Sequence, residues 1–432
     1  MVNGHGQKVP CPEVKRYGSL FLNSYLIMNK HDLKVLILTP IYSGEGIKKS
    51  STPVVHYFVR EWVKQGVDVR VIHYPSNFPK VVNMLAKPFR NIIGSKAGYE
   101  VRTWQLSEAQ YEIEGVKVKR IPLIKLKPHG RYSEREIAKA TAKTISYCEA
   151  EGFRPDVITS HWVNPQLDIM HRLKAHFGCR VGYVAHDGGA DLLGIYAKES
   201  KTFLADIDVI GYRSDAIKRV FEKRFHTESK PHFYCYSGIP TKYVDEHLKR
   251  KISNRNTLLF VGTLIERKYP SALVTASKKA FQGNDFQITY IGSGHEENTI
   301  LQEAKKLGVA EKINMLGRVE RDEVVRQMDS HTIFAMISRA ETFGLVYLEA
   351  MARGCITIAS REEGFDGIIR DGENGFLCKA GDSAELAALL GRIKAMPQEE
   401  LQEISRKAIA TAFELTDEKA AATYLQNLLQ GI

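Results

Sequence analysis

The chain has 432 residues, of which 44% are apolar, and a formal net charge of +11. That length exceeds what one hydrophobic core usually serves, so two domains of roughly 200 residues each are expected. The cysteines lie at positions 11, 148, 179, 235, 355 and 378 without a Cys-x-x-Cys pair. This spacing argues against a zinc ribbon and a secreted disulfide scaffold, and it favours a reducing cytoplasm.

The N-terminal stretch and the charge distribution add two expectations. YGSLFLNSYLIMN is interrupted by Asn and Ser and lacks a small-residue cleavage site, so neither a signal peptide nor a membrane span is predicted. Residues 1–30 are interpreted as an N-terminal extension, and Met28 as an alternative start. Residues 1–250 carry 39 Lys and Arg against 25 Asp and Glu, whereas the remainder carries 22 against 25. This asymmetry indicates different partners for the two halves.

From residue 33 onward, short β-branched runs alternate with amphipathic stretches, a pattern typical of parallel βαβ units. LKVLILTP (33–40) predicts the first strand. PVVHYFVREWVKQG (53–66) predicts a helix with Pro53 at its first position, and VDVRVIHY (67–74) predicts the second strand. Further strands are predicted in DVITSHW, RVGYVAHD and DVIGYRS. These elements indicate one doubly wound domain over residues 31–245.

A second series begins at TLLFVGTL (257–264) and continues through FQITYIGSG, KINMLGRV, HTIFAMIS and CITIAS. The polar stretch DEHLKRKISNRN (245–256) separates the two series and is the predicted linker. The expected fold is therefore α/β, with two Rossmann-like doubly wound domains (31–245 and 257–415) facing a central cleft. The last helix, within 416–432, is a candidate for packing back across the domain junction. Ligands of such sheets bind outside the carboxyl ends of the strands.

ETFGLVYLEAMARG (341–354) has the pattern of a phosphate-binding helix start. Thr342 is a candidate N-cap, an apolar run follows, and Gly354 provides the C-terminal stop. A helix starting near residue 343 would point free backbone amides at a phosphate. Those amides would belong to Phe343, Gly344 and Leu345.

The two carboxylates of this stretch have no cation between them in the sequence. Glu349 would lie roughly 7–8 Å along the helix axis from the phosphate, where its carboxylate can accept both hydroxyl groups of a ribose. Glu341 would face the other side of the phosphate and accept hydrogen bonds from a sugar. The pattern indicates a nucleotide-sugar.

ETFGLVYLEAM is similar to the motif of GT-B glycosyltransferases of the large retaining group of the family 4 type, which includes bacterial polysaccharide and lipid glycosyltransferases. FVGTLIERK, IGSGHE, LGRV and EGFDGIIRDGENGFL match that group in order and spacing, and the resemblance covers most of the chain from about residue 33. It implies a GT-B fold and a metal-independent, retaining transfer of a sugar to a hydroxyl of a glycan or lipid-linked glycan. The donor would be a nucleotide-diphosphate sugar, with a UDP-sugar favoured, and no cofactor is implied. The base would lie near Arg318 and Val319.

FVGTLIERK carries the basic part of the expected diphosphate site. A strand ends at Gly262, and a basic residue shortly afterwards can contact a diphosphate through a charge-assisted hydrogen bond. By resemblance Lys268 has that role. The family usually has an arginine directly after the glycine, where this chain has Thr263, and whether Arg267 compensates is left open.

In the first half, two strand-end loops are candidates for the cleft. In YVAHDGGADLL, a neutral His186 can hydrogen-bond a sugar hydroxyl, and the resemblance implies that it contacts the donor sugar near the reacting carbon. Together with Glu341 it would orient the sugar. His161, at another strand end, is left open between a functional and a structural role. Gly44 and Gly46 match the family's glycine-rich loop, although a simple turn explains them nearly as well.

Two further patterns bear on cofactors. GSGHEE (292–297) opens like a dinucleotide fingerprint, but Glu297 stands at its third glycine position, so NAD binding is disfavoured. The histidines and acidic residues show no convincing metal-ligand spacing, and no metal site is predicted.

The basic surplus of the first half is concentrated in residues 78–98 and 116–131. Residues 78–98 mix Phe, Leu and Ile with Lys and Arg, as a segment lying on an anionic membrane would, although Pro88 interrupts a long helix and a solvated loop is an equal alternative. The expected location is the cytoplasm, with contact at the inner face of the membrane as one reading. Nucleic acid is not expected as a partner.

Two other functions stay open at this stage. A sugar-nucleotide 2-epimerase would share the two-domain fold and would need no acceptor. A catalytically silent subunit would bind a nucleotide-sugar without turnover, and Thr263 in place of arginine gives this alternative some weight.

Overall fold

The computed structural model describes residues 32–44, 53–79, 104–127, 130–245, 250, 252 and 254–430. Two large sheets and one two-stranded sheet account for the strands of these residues. Helices alternate with strands along the chain, so the predicted α/β class is confirmed. None of the helices in this part of the chain is long and apolar enough to cross a membrane.

The first domain contains ten described strands and six described helices. The strands are β1 (Lys34–Thr39), β2 (Asp68–His73), β3 (Ser76–Asn77), β4 (Ala109–Ile113), β5 (Val116–Arg120), β6 (Leu123–Ile124), β7 (Val157–His161), β8 (Arg180–Ala185), β9 (Val209–Tyr212) and β10 (His232–Tyr234). The helices are α1 (Val54–Lys64), α2 (Glu134–Ala150), α3 (Gln166–Phe177), α4 (Ala190–Tyr196), α5 (Ser200–Asp206) and α6 (Asp215–Phe225).

The first sheet has the strand order β10-β9-β8-β7-β1-β2-β5-β4, and β3 pairs with β6 separately. All its pairs are parallel except β4 with β5. β1 lies in the interior of this sheet. The strands β2, β5 and β4 are added on one side of it, and the strands β7 to β10 are added on the other side. The loops after β1 and β7 therefore diverge, which leaves a crevice at the carboxyl ends of these strands.

Some elements differ from the sequence-based expectations. Pro53 is the N-cap of α1 and the helix begins at Val54, so Pro53 is not at the first helical position. The basic stretch 116–131 contains β5, whose valines are buried while Lys117 is exposed. This alternation has the period of a strand with one buried face, and the valines hold the lysines on the sheet surface.

The second domain contains six described strands and six described helices before the C-terminal helix. The strands are β11 (Thr257–Val261), β12 (Gln287–Ile291), β13 (Ile313–Gly317), β14 (Ile333–Ala335), β15 (Ile356–Ser360) and β16 (Phe376–Cys378). The helices are α7 (Pro270–Ala280), α8 (Glu297–Lys306), α9 (Arg321–Ser330), α10 (Leu345–Ala352), α11 (Ser383–Ala395) and α12 (Gln398–Phe413).

The second sheet is parallel throughout, in the order β13-β12-β11-β14-β15-β16. Its switch point lies between β11 and β14, so the loops after these two strands open a second crevice. Apart from the edge strand β13, whose residues are half-buried or exposed, each strand is a short, mostly buried apolar run, as expected for strands covered by helices on both faces. The two crevices supply the walls of the cleft.

The final helix, α13 (Asp417–Leu429), packs on the first sheet, far in sequence from its partners. The Trp62 indole N–H donates to the Ala421 carbonyl at 2.8 Å, and the Tyr424 hydroxyl lies 2.7 Å from Thr159 Oγ1. The segment that leaves the first domain and the segment that returns to it before α13 lie side by side, since Ile239 and Thr416 form a parallel β-bridge. The domain limits at 245 and 257 stay a prediction, since most of residues 246–253 lie outside the described residues.

Candidate active site

A cavity of about 660 Å³ lies between the two domains. Its walls come from loops at the carboxyl ends of strands in both sheets, as the topology requires. Most of the sequence-predicted site residues line it: His186, Gly262, Thr263, Lys268, Val319, Glu341, Phe343, Gly344, Leu345 and Glu349. Unpredicted residues of its lining include Tyr57, Trp162, Arg213, Ser237 and Arg321.

Four predicted residues are not in that lining. Gly44 packs against the Tyr111 ring, so its loop contacts β4 rather than the cleft. Arg318 is exposed and donates to Ser293 Oγ at 2.8 Å. Arg267 lies beside Glu341 at the edge of the site. Gly46 lies outside the described residues.

The loop after β11 is built on close main-chain contacts. Gly262 has a φ of 156°, and its amide donates to the Ile291 carbonyl at 2.8 Å. A side chain at Gly292 or Gly294 would collide with the main chain at Gly262 or Leu264. The glycines of GSGHEE therefore serve this contact between two loops, which accounts for a pattern that resembles a dinucleotide fingerprint.

The helix start differs from the prediction by two residues. Gly344, with a φ of 85°, is the N-cap of α10, and Thr342 is not a cap. The Thr342 hydroxyl lies 3.5 Å from the His186 carbonyl of the first domain instead. In the described part of the chain, the amides of Leu345 and Val346 have no main-chain acceptor, so they are free to bind an anion. The predicted stop is confirmed, since α10 ends before Gly354, whose φ is 68°.

The segment before α10 is held by the EGFDG motif. Glu363 accepts a hydrogen bond from the Glu341 amide at 2.9 Å. Gly364 lies so close to the main chain of residues 341–343 that a side chain there would collide with it. The motif therefore fixes the conformation that leads into the helix start, a role that the sequence did not reveal for Glu363.

The Glu341 carboxylate lies between two cations. Its Oε2 atom is 3.8 Å from Lys268 Nζ and 3.8 Å from Arg267 Nη1. Burial lowers the pKa of Lys268, and the charge of Glu341 opposes that shift. Lys268 is thus a partly desolvated ammonium group at the cavity, in the place expected for a diphosphate contact.

The Glu349 carboxylate is buried and paired with Arg321, which begins α9 and donates to Glu349 Oε1. Burial raises the pKa of Glu349, and Arg321 opposes the rise. The sequence showed no cation beside this glutamate because Arg321 is 28 residues away. A carboxylate offers about four acceptor sites, so one guanidinium contact leaves capacity for hydroxyl groups.

His186 is backed by a buried hydrogen-bonded chain. Its Nε2 atom lies 2.9 Å from His161 Nδ1, and His161 Nε2 lies 3.2 Å from the Tyr424 hydroxyl. Trp162 stacks on the His186 ring with centroids 4.1 Å apart. Burial lowers the pKa of both histidines well below the ordinary value. His186 is thus a neutral, positioned imidazole at the cavity, while His161 contacts it from behind.

Arg213 follows β9 and is buried, yet it lines the cavity. Its Nη1 donates to the Cys235 carbonyl at 2.5 Å and its Nη2 to Ser237 Oγ at 2.6 Å. Its guanidinium carbon lies 5.1 Å from the centroid of the Phe343 ring, so the side chain reaches the second domain. The signal for it in the sequence is a strand-end position in GYRS, like that of His186. No group of three or more metal-ligating side chains was found among the described residues.

Comparison with known proteins gives a family match and several relatives. Residues 245–411 match the sequence model described as "Glycosyl transferases group 1". The N-acetyl-alpha-D-glucosaminyl L-malate synthase of Bacillus anthracis is 26% identical over 249 residues, which cover 54% of this chain and 63% of the relative. The phosphatidyl-myo-inositol mannosyltransferase of Mycobacterium leprae is 37% identical over 137 residues, covering 31% and 36% respectively. The chain thus spans less than two thirds of the length of these curated relatives.

Among solved structures, the fold is similar to that of Anabaena Alr3699/HepE in complex with UDP and glucose. The TM-score is 0.61 at 17% identity, and the similarity covers 92% of this chain and 99% of the other. At this level of identity, the comparison concerns the fold alone.

Proposed function

We propose that this chain, whose residues 245–411 match the sequence model of the group 1 glycosyl transferases, transfers a sugar from a nucleotide-diphosphate sugar to a hydroxyl of a glycan or lipid-linked glycan. Its fold is GT-B, as the sequence-based resemblance implied. The observation that carries the proposal is the helix start at Gly344, which has free amides and lies in the same cavity as Lys268 and two glutamates.

The second domain would bind the donor. The amides of Leu345 and Val346 and the ammonium group of Lys268 would contact the diphosphate, because a helix start and a cation both favour an anion. Glu349, further along the same helix, would accept the ribose hydroxyls. The base would lie near Val319, which lines the cavity. A UDP-sugar is the favoured donor, since a solved structure of the same fold holds UDP.

The sugar would lie between the two domains, where Glu341 and His186 both line the cavity. A neutral imidazole and a carboxylate can both hydrogen-bond sugar hydroxyls. Neither group carries a positive charge, so neither would repel the positive charge that develops on the sugar in the transition state. The Thr342–His186 contact joins the walls at this point. Closure of the cleft would exclude water, which would otherwise hydrolyse the donor.

The proposed chemistry is front-face substitution with retention at the reacting carbon. The bond between that carbon and the phosphate oxygen breaks, and its electron pair stays on the phosphate. The acceptor oxygen forms the new glycosidic bond on the same face, and its proton passes to the departing phosphate. In this scheme Lys268 and the helix amides stabilise the charge on the leaving group, so a metal ion is not required.

The first domain would hold the acceptor and contact an anionic membrane. The expected segment 78–98 lies outside the described residues apart from positions 78 and 79. β6 pairs with β3, which directly precedes positions 78 and 79. Ile124 at the end of β6 is exposed, and so are Leu126 and Lys127 after it, with Lys125 between the two apolar residues. Trp104 is also exposed. Apolar side chains among lysines suit the interface of an anionic bilayer.

A thermal-shift screen against UDP, GDP and ADP tests donor binding. A nucleotide at a hundredfold its dissociation constant should stabilise the protein by about 2.7 kcal/mol. Glu349→Ala should abolish the response to the preferred nucleotide, whereas Glu323→Ala, at a half-buried carboxylate of α9 outside the cavity lining, should keep it. An unchanged response in Glu349→Ala would refute the ribose assignment.

Product analysis with the preferred nucleotide-sugar then identifies the reaction. A transferase releases the nucleoside diphosphate in step with glycosylated acceptor. Sugar epimerised at carbon 2 without acceptor would indicate the epimerase, and binding without turnover would indicate a silent subunit.

A further inference from the structure

The charges lining the cavity pair off with one exception. Among the described lining residues, the ionised side chains are those of Arg213, Lys268, Arg321, Glu341 and Glu349. Lys268 lies 3.8 Å from Glu341, and Arg321 donates to Glu349. Within this set, Arg213 is left with a full positive charge and no carboxylate. The net charge of the lining therefore resides on a first-domain arginine.

The surroundings of Arg213 only partly compensate this charge. Its two terminal nitrogens donate to a carbonyl and a hydroxyl, both neutral acceptors. Its Nε atom is buried and finds no hydrogen-bond partner among the described residues. The side chain is 2% exposed, and burial lowers its pKa from the ordinary value. A buried guanidinium of this kind is costly unless an anion completes it.

The position of Arg213 indicates which anion could pair with its guanidinium group. Its guanidinium carbon lies 5.1 Å from the Phe343 ring centroid, and Phe343 is two residues before the first helical residue of α10. The first-domain cation therefore lies next to the helix start expected to bind the diphosphate. Across the cavity, Thr263 occupies the position where the resembled family usually has an arginine. The site thus lacks one cation on the second domain and has an unpaired one on the first.

We propose that Arg213 binds a phosphate oxyanion of the donor from the first-domain wall and stabilises the phosphate that leaves with the nucleotide. This inference rests on the proposed function. When the bond to the sugar breaks, its electron pair adds negative charge to that phosphate, and a desolvated cation stabilises such charge more strongly than an exposed one. Arg213 would also couple donor binding to domain closure, since it reaches the second domain from the first.

Affinities for UDP and uridine measure the phosphate contribution directly. Arg213→Gln should weaken UDP binding about tenfold, in the range of a lost charged hydrogen bond, and leave uridine binding unchanged. Arg213→Lys should lose less, because it keeps the charge. The matched control is Arg219→Gln on α6, an exposed arginine paired with Asp215 that should behave as wild type. If GDP or ADP is the preferred nucleotide, that nucleotide and its nucleoside replace UDP and uridine.

The following outcomes would overturn the proposal. Affinities for both UDP and uridine that are unchanged in Arg213→Gln would show that Arg213 does not contact the diphosphate. If in addition Arg213→Gln raised the KM for an anionic acceptor and not for a neutral one, the oxyanion would belong to the acceptor. A loss of UDP and uridine binding in equal proportion would show a general structural effect and would also count against the proposal.

The experiment separates this proposal from the proposed function. If the wild-type protein binds none of the nucleoside diphosphates, the proposed function fails before Arg213 is tested. Arg213→Gln removes two internal hydrogen bonds, so its melting temperature without nucleotide must first show a folded protein. If it does not fold, Arg213→Lys carries the test, because a lysine cannot reproduce the geometry of the guanidinium, and a UDP-to-uridine ratio equal to that of wild type would then refute the proposal.

Discussion

Arg321 donates a hydrogen bond to Glu349, so the carboxylate predicted to hold the ribose already carries a cation. The pair is desolvated, since Glu349 is buried and its pKa is raised. Because Arg321 opposes that rise, it keeps the carboxylate in the ionised form that accepts two hydroxyl groups. We therefore assign Arg321 a positioning role towards Glu349 rather than a contact with the nucleotide.

Arg321→Gln should make nucleotide binding more sensitive to acid. Without the guanidinium, the pKa of Glu349 rises further, so its carboxylate protonates earlier as the pH falls from 8 to 6. The variant should lose more affinity than wild type over this range, because a larger fraction of its Glu349 is protonated at the lower pH. Titration calorimetry at both pH values measures it. Arg326→Gln, an exposed arginine on the same helix, is the control, and parallel pH profiles for all three proteins would contradict the role.

Thr263→Arg should strengthen nucleotide binding. Thr263 is exposed and lines the cavity, so a longer cationic side chain there can reach the diphosphate from the second domain. A charge-assisted contact at a solvated position would add about 1 kcal/mol, or roughly fivefold in affinity. Competition binding with UDP measures the gain, and Thr263→Gln separates charge from length. Weaker binding in Thr263→Arg would indicate that the diphosphate does not pass this residue.

His161 and His186 should make the fold sensitive to mild acid. Burial lowers the pKa of both below 6.5, so they bind protons in the unfolded chain before they do so in the folded protein. The free energy of unfolding therefore receives their full contribution above pH 6.5. Below that pH it falls by up to about 1.4 kcal/mol per pH unit for each group. Other buried histidines also contribute to the pH dependence of the free energy of unfolding. The informative quantity is therefore the difference in that pH dependence between a variant and wild type.

Urea unfolding between pH 7.5 and 5.5 checks this expectation. His161→Gln should show a shallower loss of unfolding free energy than wild type, because one of the two groups no longer titrates. His295→Gln, at an exposed position, should follow the wild-type slope. An identical slope for His161→Gln would mean that the buried histidines do not govern the acid sensitivity.

Leu126→Ser should weaken binding to anionic vesicles. Leu126 is 73% exposed and stands between two lysines, so it can enter the bilayer interface at little cost. Losing its apolar surface should remove about 1.5 kcal/mol, or roughly tenfold in partitioning. Co-sedimentation with vesicles containing phosphatidylglycerol measures it, with neutral vesicles as reference. Leu301→Ser, also exposed but on the second domain, should bind normally, and equal binding of both variants would place the contact elsewhere.

Local patterns predicted the central strands of both sheets and the end of α10, because a buried parallel strand needs a continuous apolar run and a helix end needs a residue with positive φ. They misplaced the start of α10. Thr342 is a good N-cap by residue type, but its hydroxyl faces the His186 carbonyl, and the cap passes to Gly344. The strand β5 was missed because its alternating lysines were interpreted only as charge.

The sequence by itself determined the α/β alternation, the strand-end loops that carry His186 and Lys268, and the spacing of Glu341 and Glu349. Each of these depends on backbone geometry within a few residues. Only the tertiary structure decided the electrostatics of the site. Arg321 lies 28 residues from its carboxylate, and Tyr424 lies 263 residues from His161. Arg213 is buried and has no carboxylate partner among the described residues. Charge pairing and desolvation depend on which elements contact each other in the folded chain, and local sequence periodicity does not predict these long-range contacts.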